Sequence, residues 1–313
     1  MAPNRTPNVY AGPYVDRSSE WRKDPAWLEA ALRDAATQFV PLWQLRNLVR
    51  LQPVPSAELL TIAELGTFDA SQAVLLGVYR GSACFALELL DEPLVRAGAE
   101  FSDLRTTGGL LPADDAGLLA YARAMIYWRQ RHRHCGACGA PTRADSGGHV
   151  MACTDPDCGG QSFPRIDPAI IVLVSDGERA LLGRQASWPA GRYSTIAGFV
   201  EPGESLEDAV AREVREETNV EVAEVIYHSS QPWPFPSSLM VGFHARAASL
   251  AISCPDGELE DARWFSRADL AAGLPALPPP QSISFRLIAD WYRRGADRDL
   301  ADEPGARIWP LSS

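Results

Sequence analysis

The residues best suited to chemistry are three glutamates in the segment Gly198-Phe-Val-Glu-Pro-Gly-Glu204-Ser-Leu-Glu-Asp-Ala-Val-Ala-Arg212-Glu213-Val-Arg-Glu216-Glu217-Thr-Asn219-Val220. Glu213, Glu216 and Glu217 are spaced i, i+3 and i+4, so on a helix they share one face, where like charges repel without a counterion. Hard carboxylate oxygens grouped this tightly suit Mg²⁺ or Mn²⁺. Arg212 and Arg215 are near enough that a salt-bridged surface helix is the competing reading. A second constellation is Cys135-Gly-Ala-Cys138 followed by Cys153-Thr-Asp-Pro-Asp-Cys158. Four thiolates complete the tetrahedral shell of zinc and leave no position for water, so such a site holds a fold instead of doing chemistry. A rubredoxin-like iron site and two disulfides are the alternatives. Cys84, in an apolar segment, reads as a core residue, and Cys254 receives no role.

These groups need elements to position them. The stretch 204–218 reads as a helix with Leu206, Ala209, Val210 and Val214 as its buried stripe. Strands are expected at 169–174, a continuous apolar β-branched run, and at 180–182, 195–197, 220–227, 239–247 and 262–265. A closing helix over 282–293 follows Pro278-Pro279-Pro280. Strands on both sides of one main helix imply an α+β sandwich. Upstream, the pattern predicts a helix over 26–37 and a hairpin of Ala73–Tyr79 and Ser82–Leu89 about Arg80-Gly81. A further helix runs from Asp114-Asp115 to about 131. The glycine-rich cysteine window lacks regular pattern. The chain therefore divides into an N-terminal domain (1–131), the cysteine window (132–165) and a C-terminal domain (166–300), with no internal repeat legible.

A chain of 313 residues, 46% of them hydrophobic, is more comfortable as two domains than as one. The opening 1–25 is polar and unlike a signal sequence, and no stretch approaches the roughly 18 apolar residues of a membrane span. The expectation is a soluble, cytoplasmic protein. A formal net charge of -11 should repel nucleic acid. The basic run Arg129, Arg131, Arg133 with His132 and His134 reads as a solvated helix end. A zinc-ribbon nucleic-acid-binding module is the non-enzymatic alternative, and the acidic balance weighs against it.

Ser230, Gln231, Pro232, Trp233, Pro234, Phe235, Pro236, Ser237 and Ser238 form a distinct segment. Its alternating prolines exclude a helix or a central strand. It reads as a stiff loop presenting aromatic faces, able to stack on a nucleobase at small entropic cost. Taken alone, a core-packing loop is the competing reading.

The glutamate segment resembles the box of the Nudix hydrolases, matching at Gly198, Glu204, Arg212, Glu213, Val214, Glu216, Glu217 and Val220. It departs at Asn219, where the family has glycine; Asn is the usual second choice for a left-handed helix end. The order of cysteine pairs, Nudix box and proline-aromatic segment resembles the NADH pyrophosphatase branch, over roughly 105–293. Some members of that branch also remove NAD caps from RNA. The resemblance implies a Nudix α/β/α sandwich with a mixed sheet, preceded by a zinc ribbon and an N-terminal α+β domain. It implies hydrolysis of NAD(H) to NMN(H) and AMP, with structural Zn²⁺ on the four cysteines and catalytic Mg²⁺ or Mn²⁺. The catalytic metal would sit on Glu213, Glu216, Glu217, Glu258 and the Ala197 carbonyl, with Glu216 as general base and with Glu204 and Arg212 orienting loop and helix. Substrate contacts fall on Phe163, Phe199, the segment 231–238, Ser284 and Arg105. The family is typically a homodimer. Two departures bear on specificity: a contacting Glu of some relatives falls near Gly148, and an expected Tyr is Phe163. Nudix hydrolysis of ADP-ribose or diadenosine polyphosphates is the alternative activity. His228 and His244 read as structural.

Overall fold

In the computed structural model, which describes residues 6–91, 96–255 and 257–309, residues 9–166 with 233–237 make a first body. Helix α1 (Pro25–Arg33) starts on Asp24, whose side chain accepts from the Trp27 N–H. It stops short of the expected 37 because Asp34 is extended and the Thr37 hydroxyl turns back onto the Ala31 carbonyl at 2.6 Å. A six-stranded sheet follows, built from β1 (Gln38–Trp43), β2 (Arg46–Arg50), β3 (Ser56–Ala57), β4 (Ala73–Tyr79), β5 (Ser82–Leu89) and β6 (Ala99–Ser102). Its order is β3-β2-β1-β5-β4, with β6 also on β2. The short helices α2 (Ile62–Leu65) and α3 (Leu104–Thr107) precede the long α4 (Ala113–Arg131). Leu118, Leu119, Ala122 and Ile126 of α4 share one core with Val40, Leu42, Val74 and Leu76. Each large apolar side chain buried there stabilises by about 1.5–3 kcal/mol. Cys84 is part of this core.

The end of α4 is not the solvated terminus expected from sequence. Arg129 is buried and donates to the carbonyls of Ser71 at 2.9 Å and Gln72 at 2.8 Å, so its charge anchors the helix to the entry of β4. Arg131 and Arg133 are exposed. The cysteine window forms a small antiparallel sheet of β7 (Thr142–Asp145), β8 (Val150–Cys153) and β9 (Gln161–Ser162).

The second body holds residues 6–8, 167–232 and the described residues from 238 onward. The apolar run at 169–174 lies within β10 (Asp167–Ser175), followed by β11 (Arg179–Arg184), β12 (Ile196–Phe199) and helix α5 (Leu206–Thr218). Then come β13 (Val222–Trp233), whose last residue clusters with the first body, β14 (Ser238–Ala247), β15 (Asp261–Ser266), α6 (Arg267–Ala271), β16 (Ala276–Leu277), α7 (Ile283–Arg293) and β17 (Arg307–Ile308). The main sheet runs β13-β14-β10-β11-β15, with β12 also on β10. Ile170, Val172 and Val174 pack with Val210 and Val214 of α5, while Ile171 and Leu173 pack with Leu287 and Ile288 of α7. The period-2 alternation of one strand thus serves two helical layers, which is why its sequence is apolar throughout. The result is an α/β/α sandwich on a mixed sheet.

Two expectations need correction. Strand β13 extends through Gln231 and Pro232 to Trp233, so only 234–237 remain as the turn. A proline is tolerated there because β13 is the edge of the sheet, where alternate N–H groups point away from the ladder. The chain also contains an internal structural repeat. In the first body β1 pairs antiparallel with β2 and parallel with β5, β5 takes β4, and β6 adds antiparallel to β2. In the second, β10 pairs antiparallel with β11 and parallel with β14, β14 takes β13, and β15 adds antiparallel to β11. In chain order the four-residue α2 stands between β3 and β4 as the glutamate helix stands between β12 and β13. This kinship is one of strand partners, which many different apolar strings satisfy, so no sequence period reveals it.

Candidate active site

Helix α5 begins in a capping box, the Ser205 side chain accepting from the Asp208 N–H while Asp208 accepts from Ser205. It ends on Asn219 at φ 59°, the left-handed residue anticipated from sequence. The glutamates do not share one environment. At about 100° per residue, Glu213 and Glu217 lie between Glu216 on one side and the buried Val210 and Val214 on the other. Accordingly Glu213 and Glu217 are 8% and 5% exposed, whereas Glu216 faces solvent.

The carboxylate of Glu213 rests against the backbone at Gly198, where any Cβ would overlap it. That contact explains the glycine: residue 198 has no side chain because a carboxylate fills the space. Gly198 sits in β12 between Ala197 and Phe199, so the Ala197 backbone runs beside the same carboxylate. Burial, together with the charges of Glu216 and Glu258, raises the Glu213 carboxyl above its ordinary range, against the pull of Arg212. A divalent cation would relieve both the burial and the mutual repulsion, so the donor set fits one. Glu258 is exposed in the loop before β15.

Arg212 ties the arrangement together. Its Nε is 2.5 Å from Glu204 Oε1 and its Nη2 is 2.9 Å from Oε2 and from the Phe199 carbonyl. Nη1 reaches Glu213 and Glu216, each at 2.9 Å. The guanidinium holds the Glu204 carboxyl down at about 2, helped by the Glu201 N–H. One rigid fork therefore joins the loop after β12 to the outer face of α5.

The other expected contacts separate by body. In the second body, Phe199 is 59% exposed beside this loop. Ser284 is buried, its hydroxyl 2.8 Å from both Ser194 Oγ and Thr195 Oγ1. Gln231 is fully buried: its amide accepts from the Ile283 N–H at 2.9 Å and donates to the Gln281 carbonyl at 2.8 Å, capping α7. His228 is buried and bonded to Asp290 at 2.5 Å and Ser229 at 2.9 Å, and His244 lies against it. An open cavity of about 770 Å³, lined among others by Arg184, Tyr193, Asp261, Arg263 and Trp264, touches none of Glu213, Glu216, Glu217 and Glu258.

In the first body, Phe163 is 49% exposed. Phe235 is buried edge-on against Tyr10 and Trp233, with the guanidinium groups of Arg105 and Arg123 at 5.0 and 4.9 Å from its centroid. Arg123 also donates to the Pro234 carbonyl. Phe235 is thus a packed ring and not the open stacking face expected from sequence. Trp233, Ser237 and Pro236 are less enclosed. Sequence reading also missed Arg123; its only signal was a cation within the otherwise uncharged stretch 116–128 of α4.

The four cysteine sulfurs lie within 4.8 Å of one another. Cys135 and Cys158 are 3.7 Å apart and Cys138 and Cys153 3.4 Å, too long for the roughly 2.05 Å of a disulfide. Tetrahedral Zn–S bonds of about 2.3 Å would set the sulfurs about 3.8 Å apart, so zinc fits. The N–H groups of Cys138 and Ala137 lower the Cys135 thiol, while burial raises that of Cys153, so the four thiols do not ionise alike without a cation among them.

Comparison with known proteins adds three family matches along the chain: an NADH pyrophosphatase-like rudimentary NUDIX domain over 36–128, an NADH pyrophosphatase zinc ribbon domain over 130–163, and a NUDIX domain over 165–287. The first bears on the structural repeat described above. Among similar proteins, the NAD-capped RNA hydrolase NudC of Stutzerimonas stutzeri is 45% identical over 230 aligned positions, covering 74% of this chain and 81% of that one. The NAD-capped RNA hydrolase NUDT12 of Homo sapiens is 33% identical over 342 positions, covering 91% and 73%. A NUDIX hydrolase structure from Nitrosomonas europaea aligns with a TM-score of 0.42 at 23% identity, covering 56% of this chain and 97% of that one. No helix among the described residues is long and apolar enough to cross a membrane.

Proposed function

This chain belongs to the NADH pyrophosphatase branch of the NUDIX hydrolases, alongside the proteins called NudC and NUDT12, and on that premise we propose that it splits the pyrophosphate of NAD(H). Water adds to one phosphorus, the bridging oxygen leaves with the other phosphate, and the products are NMN(H) and AMP. NAD-capped RNA is the second substrate, cleaved at the same bond. The observation that carries the reading is the Glu213 carboxylate set against the backbone at Gly198, beside buried Glu217 and inside the loop that Arg212 clamps.

NUDIX hydrolysis needs a divalent metal. In this reading Mg²⁺ or Mn²⁺ would be held by Glu213, Glu217, Glu258 and the Ala197 carbonyl, and would supply charge neutralisation and a more acidic water. Glu216, open to solvent and placed by Arg212, takes the proton of the attacking water. Glu204 and Arg212 keep the loop from shifting, since phosphoryl transfer depends on positioning and electrostatics. Phe199 offers an exposed ring for the nicotinamide, and Phe163, Arg105, Trp233, Ser237, Ser238 and Ser284 are carried as substrate-side residues. Gln231 and Phe235 serve the segment 231–238 by holding it in place. Zn²⁺ on Cys135, Cys138, Cys153 and Cys158 keeps the ribbon folded. A cytoplasmic homodimer completes the reading, on the resemblance.

The test is product analysis with Mg²⁺ or Mn²⁺ and NADH, NAD+, ADP-ribose and a diadenosine polyphosphate in parallel, followed by NAD-capped RNA. NMNH and AMP as the dominant products support the reading. Faster turnover of ADP-ribose would reject the substrate and leave the reaction class.

A further inference from the structure

The first turn of α7 is a junction for three separate segments of the second body. Gln231, at the end of edge strand β13, caps it through the Ile283 N–H. Ser284, one residue on, gathers the Ser194 and Thr195 hydroxyls just before β12. Arg286 reaches in the third direction, its Nη1 donating to the Thr6 carbonyl at 2.7 Å and to Asn8 Oδ1 at 2.8 Å.

Asn8 closes the circuit. Its Nδ2 donates to Ser229 Oγ at 3.0 Å and to the Ser230 carbonyl at 2.8 Å. Both donor hydrogens and the acceptor of this amide are therefore engaged, and the residue is 8% exposed. The path runs Arg286, Asn8, Ser230, Gln231, Ile283 and back along one turn of the same helix to Arg286. A ring of part-buried hydrogen bonds, closed by the buried bond between the Ile283 N–H and Gln231, is costly to break where a loss strands an enclosed partner. Residues 6–8 cluster with this body although the chain after them belongs to the other. Their anchorage falls on the two residues immediately before Gln231.

We propose that Asn8 and Arg286 are positioning residues for the dinucleotide site, holding Ser230 and Gln231 so that the segment 231–238 and the start of α7 keep their binding geometry. This rests on the reading that 231–238 lines the substrate site. Neither residue touches the glutamates, so the effect belongs to binding and not to the chemical step.

The experiment compares wild type, Asn8→Ala, Arg286→Ala and the double variant on NADH with Mn²⁺, measuring KM, kcat and Tm. Arg293→Ala, which removes a surface ion pair with Asp299 at the far end of α7, is the control for general weakening of the helix. Asn8→Ala and Arg286→Ala should each raise KM about tenfold with kcat within about threefold, and the double variant should be no worse than about the weaker single, since one ring is broken once. Arg286→Lys, which keeps one donor, should recover part of the loss; it and Asn8→Asp serve if an alanine variant fails to fold. Unchanged KM with a lowered Tm, KM effects that multiply in the double variant, or an equal KM rise in Arg293→Ala would overturn the proposal. If wild type prefers another dinucleotide, the substrate reading fails, and the same KM comparison on that dinucleotide decides this proposal separately.

Discussion

Arg212 grips Glu204 with one edge of its guanidinium, Nε at 2.5 Å from one carboxylate oxygen and Nη2 at 2.9 Å from the other, while Nη2 also holds the Phe199 carbonyl. A lysine retains the charge and loses the fork. Arg212→Lys should therefore lower kcat/KM about a hundredfold through loop displacement. The pair also has an acid signature. The Glu204 carboxyl is held near 2, below its ordinary 4.5. Its contribution is fully present above 4.5 and is lost as the pH falls towards 2. Tm measured from pH 5 to pH 2 should fall in wild type and show a smaller fall over that window in Arg212→Lys; parallel curves would break the link.

Glu217 is buried on α5 one turn beyond Glu213. Glu217→Gln keeps the shape and removes the charge, so kcat should drop by roughly a thousandfold while Tm stays or rises. Retention of more than a tenth of the activity would remove Glu217 from the metal set.

Gly198→Ala places a methyl group where the Glu213 carboxylate lies. The carboxylate must swing away, and Mn²⁺ affinity, read by electron paramagnetic resonance titration, should weaken at least about tenfold. Unaltered affinity would mean that Glu213 is not a ligand in this orientation.

The four sulfurs of the ribbon lie within 4.8 Å of one another. Cys138→Ser should lose stoichiometric zinc and unfold the ribbon, seen as protease sensitivity within 132–165. A folded, zinc-free, fully active variant would refute a structural role.

His149 and His244 are both lowered to about 4, chiefly by burial, His149 with its Nε2 on the Leu75 carbonyl at 2.7 Å. Each is neutral when folded, and the unfolded chain binds its proton first. Stability should be intact above about pH 6.5 and fall as the pH drops towards 4, by up to about 3 kcal/mol for His149. His149→Gln should flatten part of that slope in urea titrations at pH 7, 6, 5 and 4; an unchanged slope would assign it to other groups.

The spacing of Glu213, Glu216 and Glu217, the cysteine pairs and the alternation in β10 are local patterns, and they were legible because helix and strand periodicity alone dictates which residues are neighbours. Asn219 as a helix end belongs to the same class. What the tertiary structure decided is which neighbours are buried and against what. Only folding places Glu213 on the glycine backbone and sends Glu216 out to solvent. It also folds Phe235 into a core under two guanidiniums, makes β13 an edge that admits Pro232, and closes Asn8 onto Ser230 across the length of the chain. The repeated sheet follows the same logic. Hydrogen-bond partners and burial depend on long-range closure, and a backbone ladder accepts many sequences, so neither is written in any single stretch of residues.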